Sequence, residues 1–184
     1  MNGHNEKLLN SLPGKLFEVK ARHFTKLKQN YKPYIQKDGT ISDTQFLDTL
    51  QLKLGAKVML IYNVDVSDLL CNGAMGTLIG VEESEERRVD KLIIKFANPK
   101  AGRESRKRNP KYATKYPEGT IITKMEREYT IAKKTKSIIA STEKLIQYPV
   151  ILAFAVTVHK VQGQTIERPL NCVISLLKVH EHTE

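Results

Sequence analysis

The densest group of hydrogen-bonding side chains is Thr157, His159, Lys160, Gln162, Gly163, Gln164 and Thr165, which fall within nine positions directly after the apolar run Ile151 to Val156. An unbroken apolar run of this length fits a strand buried on both faces. Thr157 ends the run and can cap a short helix by accepting from a free backbone N–H two or three residues later. Gly163 suits the left-handed position after the last turn. A buried strand that feeds a capped helix start sets free N–H groups at a sheet edge, which is a phosphate-binding geometry. Thr157 and those N–H groups can hold one phosphate, helped by the positive end of the helix dipole, while His159 and Lys160 donate to further oxygens. At the far end Gly163 admits another backbone, and Gln164 and Thr165 can hydrogen-bond a nucleotide. The plain alternative is that Thr157 and Gly163 are only caps and that Lys160 and Gln162 face water. His159 has no carboxylate or nucleophile beside it in sequence, which weakens it as a general base.

A second chemistry-bearing stretch, 99–115 (PKAGRESRKRNPKYATK), carries seven cations against Glu104, a net +6 of the chain's +10. Its two prolines, one glycine and lack of periodicity predict a flexible loop. Arg106, Lys107 and Arg108 are its core as a phosphate-tracking arm, each contact releasing counterions. A solvated loop or a nuclear-localisation patch is the alternative. Tyr112 and Tyr116 flank it and either stack on an exposed base or pack on the protein surface. Lys133, Lys134 and Lys136 form a second basic group. His180 and His182 lack a third ligand, so they read as part of a frayed tail rather than a metal site.

The elements that must position these groups follow from periodicity. Leu8, Leu9 and Leu12 recur at helical spacing until Pro13-Gly14 stops them. Residues 16–21 alternate as a half-buried strand, and 26–39 is polar, with Pro33 and an Asp38-Gly39 turn, so it reads as a loop. Ser42 with Gln45 forms a capping box for a two-turn helix whose apolar face is Phe46, Leu47 and Leu50. From Leu52 on, five short β-type runs are predicted, at 57–62, 76–81, 91–97, 120–123 and 128–132. Glu82 to Glu86 with Arg87 and Arg88 reads as a hairpin tip. Periodicity alone allows any small β unit here.

The chain has 184 residues, room for one ordinary domain or two small ones. Its charge favours polyanionic partners. Cys71 and Cys172 form neither a metal nor a disulfide pattern and point weakly to a reducing compartment. No apolar run approaches the ~20 residues that span a bilayer, and the N-terminus lacks the features of a secretory signal. A soluble, intracellular protein without a membrane partner is expected.

Read as letters, AFAVTVHKVQGQT resembles motif V of the superfamily-one helicases, in the version of the RecD and Pif-one branch and of the Helitron transposons. Leu52 to Gly76 (LKLGAKVMLIYNVDVSDLLCNGAMG) is similar to the opening of that family's 2B insert, with its Asn-Gly-x-x-Gly turn at Asn72, Gly73 and Gly76. Asn5 to Gly14 resembles the segment near motif IV, although the family's Asp has no clear counterpart and His23 lies near its place. The three stretches keep the family's order.

The resemblance implies an α/β fold: part of a RecA-like motor domain (the second domain of a P-loop NTPase fold) with an inserted small SH3-like β-barrel. Residues 1–50 and 148–184 then belong to the motor domain, and 51–147 to the 2B insert. It implies that Thr157, His159 and Lys160 meet single-stranded DNA and that Gln162, Gly163, Gln164 and Thr165 face the nucleotide. ATP and Mg2+ are the parent family's cofactors. The chain has no Gly-x-x-x-x-Gly-Lys-Ser/Thr run, no strand ending in Asp-Glu and no Leu-Ser-Arg after motif V. Neither cofactor is therefore expected to bind tightly to this chain alone, and it is expected to be inactive as an ATPase. The expected partners are single-stranded DNA and the missing N-terminal motor domain, in the nucleus or mitochondrion of a eukaryote. The parent activity is 5′ to 3′ unwinding, with roles in DNA repair and recombination. Two other readings stay open, a non-enzymatic nucleic-acid-binding module and an inactive transposon-derived remnant.

Overall fold

The computed structural model describes residues 2–24, 35–36, 39–41, 44–133 and 139–154. Helix α1 (Asn2–Ser11) forms on the leucine spacing and buries Leu9. The Pro13-Gly14 pair follows it, with Gly14 at a φ of 93°. Strand β1 (Phe17–Lys20) alternates as its sequence does, with Phe17 and Val19 inward and Glu18 and Lys20 in water. Strand β2 (Arg22–Phe24) follows. The 26–39 loop falls mostly outside the described residues, including Pro33 and Asp38.

Among the described residues the predicted helix around Phe46 is absent: bends at Thr44, Gln45 and Asp48 and a bridge between Leu47 and Thr40 lead into a strand. Ser42 lies outside them, but the Thr44 hydroxyl donates to the Ile41 carbonyl at 2.9 Å and accepts from the Phe46 N–H at 3.2 Å. This local bonding offers the backbone an alternative to a helix. Strand β3 (Thr49–Leu52) then pairs antiparallel with β1, from Phe17↔Leu52 to Lys20↔Thr49. The period-two pair Leu50 and Leu52 joins one core, while Phe46 joins another. Their helix-like spacing from Phe46 thus reflects two separate burials.

All five predicted β runs are strands: β4 (Lys57–Leu60), β5 (Met75–Glu83), β6 (Val89–Phe96), β7 (Thr120–Ile122) and β8 (Met125–Lys133). Two helices, α2 (Arg103–Arg108) and α3 (Pro110–Lys115), interrupt the path from β6 to β7. Strands β9 (Ile139–Gln147) and β10 (Val150–Leu152) are the last among the described residues. The acidic segment makes the β5–β6 hairpin tip, where the Ser84 N–H donates to the Arg88 carbonyl at 2.8 Å.

The strands form three sheets: a five-stranded antiparallel sheet of order β10-β4-β5-β6-β7, a three-stranded sheet β2-β9-β8, and the pair β1-β3. Pleating divides the central sheet between two cores. Val58, Leu60, Leu78, Leu92, Ile94 and Val150 pack with Phe17, Val19, Leu50 and Leu52 of the β1-β3 pair. Met59, Ile61 and Ile151 face the other way, toward Phe46, Tyr129 and Leu145. Of the run 151–156 expected to be buried on both faces, Ile151 and Ala153 lie in the second core and Leu152 packs partly buried against the first, while Ala155 and Val156 lie outside the described residues. Strand β10 pairs with β4 by the register Val150↔Leu60 to Leu152↔Val58.

Candidate nucleic-acid interface

The basic segment is folded, which corrects the expected flexible loop. Its order comes from an acidic turn far away in sequence. The Asp68 side chain, 3% exposed, accepts the Glu104 N–H at 2.9 Å and the Ser105 N–H at 2.8 Å, satisfying two free donors at the start of α2. The Asp68 carbonyl also accepts the Gly102 N–H at 2.8 Å. Gly102 takes a φ of 74°, and a Cβ built on it would lie 2.1 Å from Thr120 Oγ1, so this junction requires glycine.

Asp68 is placed by Asp65. One Asp65 oxygen accepts from the Ser67 hydroxyl at 2.6 Å and from the Asp68 N–H at 3.2 Å, and the other accepts Arg108 at 3.2 Å. The Ser67 hydrogen bond above all, with Arg108 contributing, holds the Asp65 carboxyl below its ordinary value of 3.8.

The three central cations do not form one exposed row. Arg106 turns inward: Nη1 donates to the Ala101 carbonyl and Thr120 Oγ1, both at 2.8 Å, and Nη2 donates to the Pro99 carbonyl at 2.8 Å. It ties α2 to the first residue of β7. Lys107 and Arg108 remain 60% and 65% exposed, paired with Glu104 and Asp65. Lys100, Arg103 and Lys111 are also exposed, and among the described residues none has an ion-pair partner.

Helix α3 lies against the central sheet through its C-terminal flank. A Cβ on Gly80 would fall 2.7 Å from the Tyr116 ring, so the absence of a side chain on β5 is what lets the ring in. Lys115 reaches Glu82 at 2.8 Å, and that carboxylate leads the groups that hold its pKa above 10.5. Tyr112 has Lys91 5.7 Å from its ring centroid. Of the two readings of these tyrosines, packing on the protein surface describes Tyr116.

His23 is a polar clip between elements. Its Nε2 lies 3.1 Å from Asp48 Oδ1 and its Nδ1 3.3 Å from the Tyr129 hydroxyl, joining β2, the segment before β3, and β8. Asp65, Asp68 and Thr120 are the positioning residues that sequence reasoning missed. The only local signal is the Asp65-x-Ser67 pattern of an Asx-type turn, because the groups that Asp68 caps lie 36 and 37 residues away.

Thr157, His159, Lys160, Gln162, Gly163, Gln164 and Thr165 lie outside the described residues, as do Lys134, Lys136, Cys172, His180 and His182. Among the described residues no three His, Cys, Asp or Glu side chains gather as a metal site, and no helix is long and apolar enough to cross a membrane.

Residues 46–81, from Phe46 through β4 and the acidic turn into β5, match the family model of the DNA helicase Pif1 2B domain. The chain is 31% identical over 183 residues to the ATP-dependent DNA helicase PIF1 of Mus musculus, covering 95% of this chain and 21% of that protein. The human protein of the same name is 30% identical over 176 residues, again covering 95% of this chain and 21% of the relative. The chain thus spans about a fifth of the length of these curated relatives. Its fold is similar to Pif1 from Candida albicans (TM-score 0.55, 22% identity, 89% of this chain and 34% of that one). It is also similar to Bacteroides Pif1 bound to single-stranded DNA (TM-score 0.54, 20% identity, 90% and 31%). Matches to the 2B domain, along nearly the whole chain and in the fold all agree: the chain is similar to a portion of the Pif1 helicases that includes their 2B domain.

Proposed function

We propose that this chain serves as the 2B-bearing C-terminal portion of an ATP-dependent DNA helicase that unwinds 5′ to 3′ and grips single-stranded DNA through Thr157, His159 and Lys160. The observation that carries this reading is the colinear similarity over 95% of the chain to proteins described as ATP-dependent DNA helicases. Support for the DNA partner comes from similar structures described as bound to single-stranded DNA. In this reading β4–β7 with their flanking strands are the SH3-like insert, and the segments at 1–50 and 148–184 belong to the second RecA-like domain.

In this reading the division of labour follows from the two ends of the short helix that the sequence predicts after Val156. Backbone N–H groups near Thr157, with His159 and Lys160, neutralise phosphate charge. Gln162, Gly163, Gln164 and Thr165 are assigned to the nucleotide side by the resemblance, so that in this reading one element would link nucleotide state to DNA grip. ATP and Mg2+ do not fit this chain's own residues: the sequence has no phosphate-binding loop, and the described residues gather no carboxylate cluster for a metal ion. The first motor domain is the partner that would supply both, so ATP turnover by this chain alone is expected to be absent.

The test is fluorescence anisotropy with a labelled oligothymidine across a salt series. Lys160→Ala is expected to weaken binding several-fold and to reduce the salt slope by about 0.7, one phosphate contact on a single strand. Binding unaltered by both Thr157→Ala and Lys160→Ala would remove motif V from the DNA contact and leave a binding module without a motor role.

A further inference from the structure

We infer that α2 and α3 form a preformed contact for the phosphate backbone of duplex DNA, made by Lys100, Arg103, Lys107 and Lys111 and separate from the single-strand grip of motif V. This inference extends the DNA-helicase reading.

Three observations carry it. The first is rigidity. Asp68 caps α2 from outside, Arg106 bolts it to the backbone at Pro99 and Ala101 and to Thr120, and Asn109 closes the joint to α3 by donating from Nδ2 to the Ser105 carbonyl at 2.8 Å. A cation held on an ordered frame loses less conformational freedom on binding than one on a mobile loop.

The second is charge. Lys100, Arg103 and Lys111 are exposed and have no ion partner among the described residues, while Lys107 has only the exposed Glu104, an i,i+3 pair of the weakest kind. Arg103 and Lys107 are four residues apart on α2 and so share a face. The acidic side chains nearby are mostly engaged elsewhere: Asp68 with backbone N–H groups, Asp65 with Arg108, and Glu82 with Lys115. Among the described residues the exposed cations of this segment are therefore left with Glu104 as their one close acidic neighbour, because Asp65, Asp68 and Glu82 are turned to structural tasks.

The third observation separates duplex from single strand. Surfaces that track single strands combine cations with aromatic platforms on which bases stack. Here the Tyr116 ring is packed against Gly80, Tyr112 is half-buried beside Lys91, and no other aromatic belongs to the unit. What remains is a cationic face without a stacking surface, suited to regularly spaced phosphates whose bases are already paired.

The experiment uses the full chain with two probes, a labelled blunt duplex and a labelled oligothymidine, each titrated across salt. The variant Lys100→Ala/Arg103→Ala/Lys107→Ala/Lys111→Ala is expected to reduce the duplex salt slope by roughly 3 and to weaken duplex binding at least tenfold, with the oligothymidine slope nearly unchanged. A control removes four charges elsewhere, at Lys7, Lys20, Lys57 and Lys144, and is expected to move the duplex slope by less than one. Cooperative thermal unfolding of each variant reports that the fold is kept. An unchanged duplex slope, an equal loss on both probes, or an equal loss from the control overturns the inference, as does failure of the unaltered chain to bind duplex. Failure to bind oligothymidine alone counts instead against the motif V reading.

Discussion

Tyr148 is fully buried, with its hydroxyl donating to the Val89 carbonyl at 3.2 Å, and burial above all, with the Asp90 charge adding, raises its pKa far above the ordinary 10.0. The folded chain therefore keeps a proton that the unfolded chain releases as pH rises past 10.0. Its contribution to stability is complete below that pH and declines above it. Lys124, 5.4 Å from the Tyr148 ring centroid, has the opposite sign: burial lowers its pKa below 10.5, so its contribution improves as pH rises toward that value. Urea unfolding of Tyr148→Phe against the unaltered chain isolates the phenol. The variant is expected to lose about 1 kcal/mol at neutral pH and to show a shallower fall above pH ~10. Parallel curves above that pH would mean that the phenol ionises alike in both states.

At the scale of elements, the helices of the basic segment depend on a side chain outside them. Asp68→Ala removes two acceptors from the start of α2 and is expected to cost about 1–2 kcal/mol in thermal or urea unfolding, with faster amide exchange at Glu104 and Ser105 before any at β5 or β6. This dependence also explains what the sequence could show. Strands β4 to β8 were legible because Val, Ile and Leu runs state a local preference that their tertiary setting satisfies. The order of 99–115 was hidden because its cap comes from Asp68 and its anchor is Thr120, neither inside the segment. The stretch at Phe46 misled for a related reason, since residues bound for two different cores happened to be four apart. The Thr157–Thr165 group was legible only as a pattern, and its geometry lies outside the described residues.

At the scale of the molecule, two cores share one sheet, so neither can melt without exposing the other's wall. Val58→Ala removes volume from the β1-β3 side and Met59→Ala from the β8-β9 side, although the two residues are neighbours on β4. Each is expected to destabilise by about 2–4 kcal/mol and to shift a single unfolding transition, whether followed by far-ultraviolet dichroism or tyrosine fluorescence. Two separated transitions in either variant would show that the cores fold independently.

The attachment of β10 has a mechanical consequence. Its pairing with β4 spans three residues and is flanked by two backbone bonds, from Ile61 N–H to the Pro149 carbonyl at 2.9 Å and from Ala153 N–H to the Lys57 carbonyl at 2.8 Å. A pull on the chain beyond Ala153 along the strand loads these few bonds together in shear, whereas a pull across it opens them one by one. The β10–β4 seam would then transmit tension firmly in one direction and yield in another, a direction-dependent coupling between the sheet and whatever moves the chain after it.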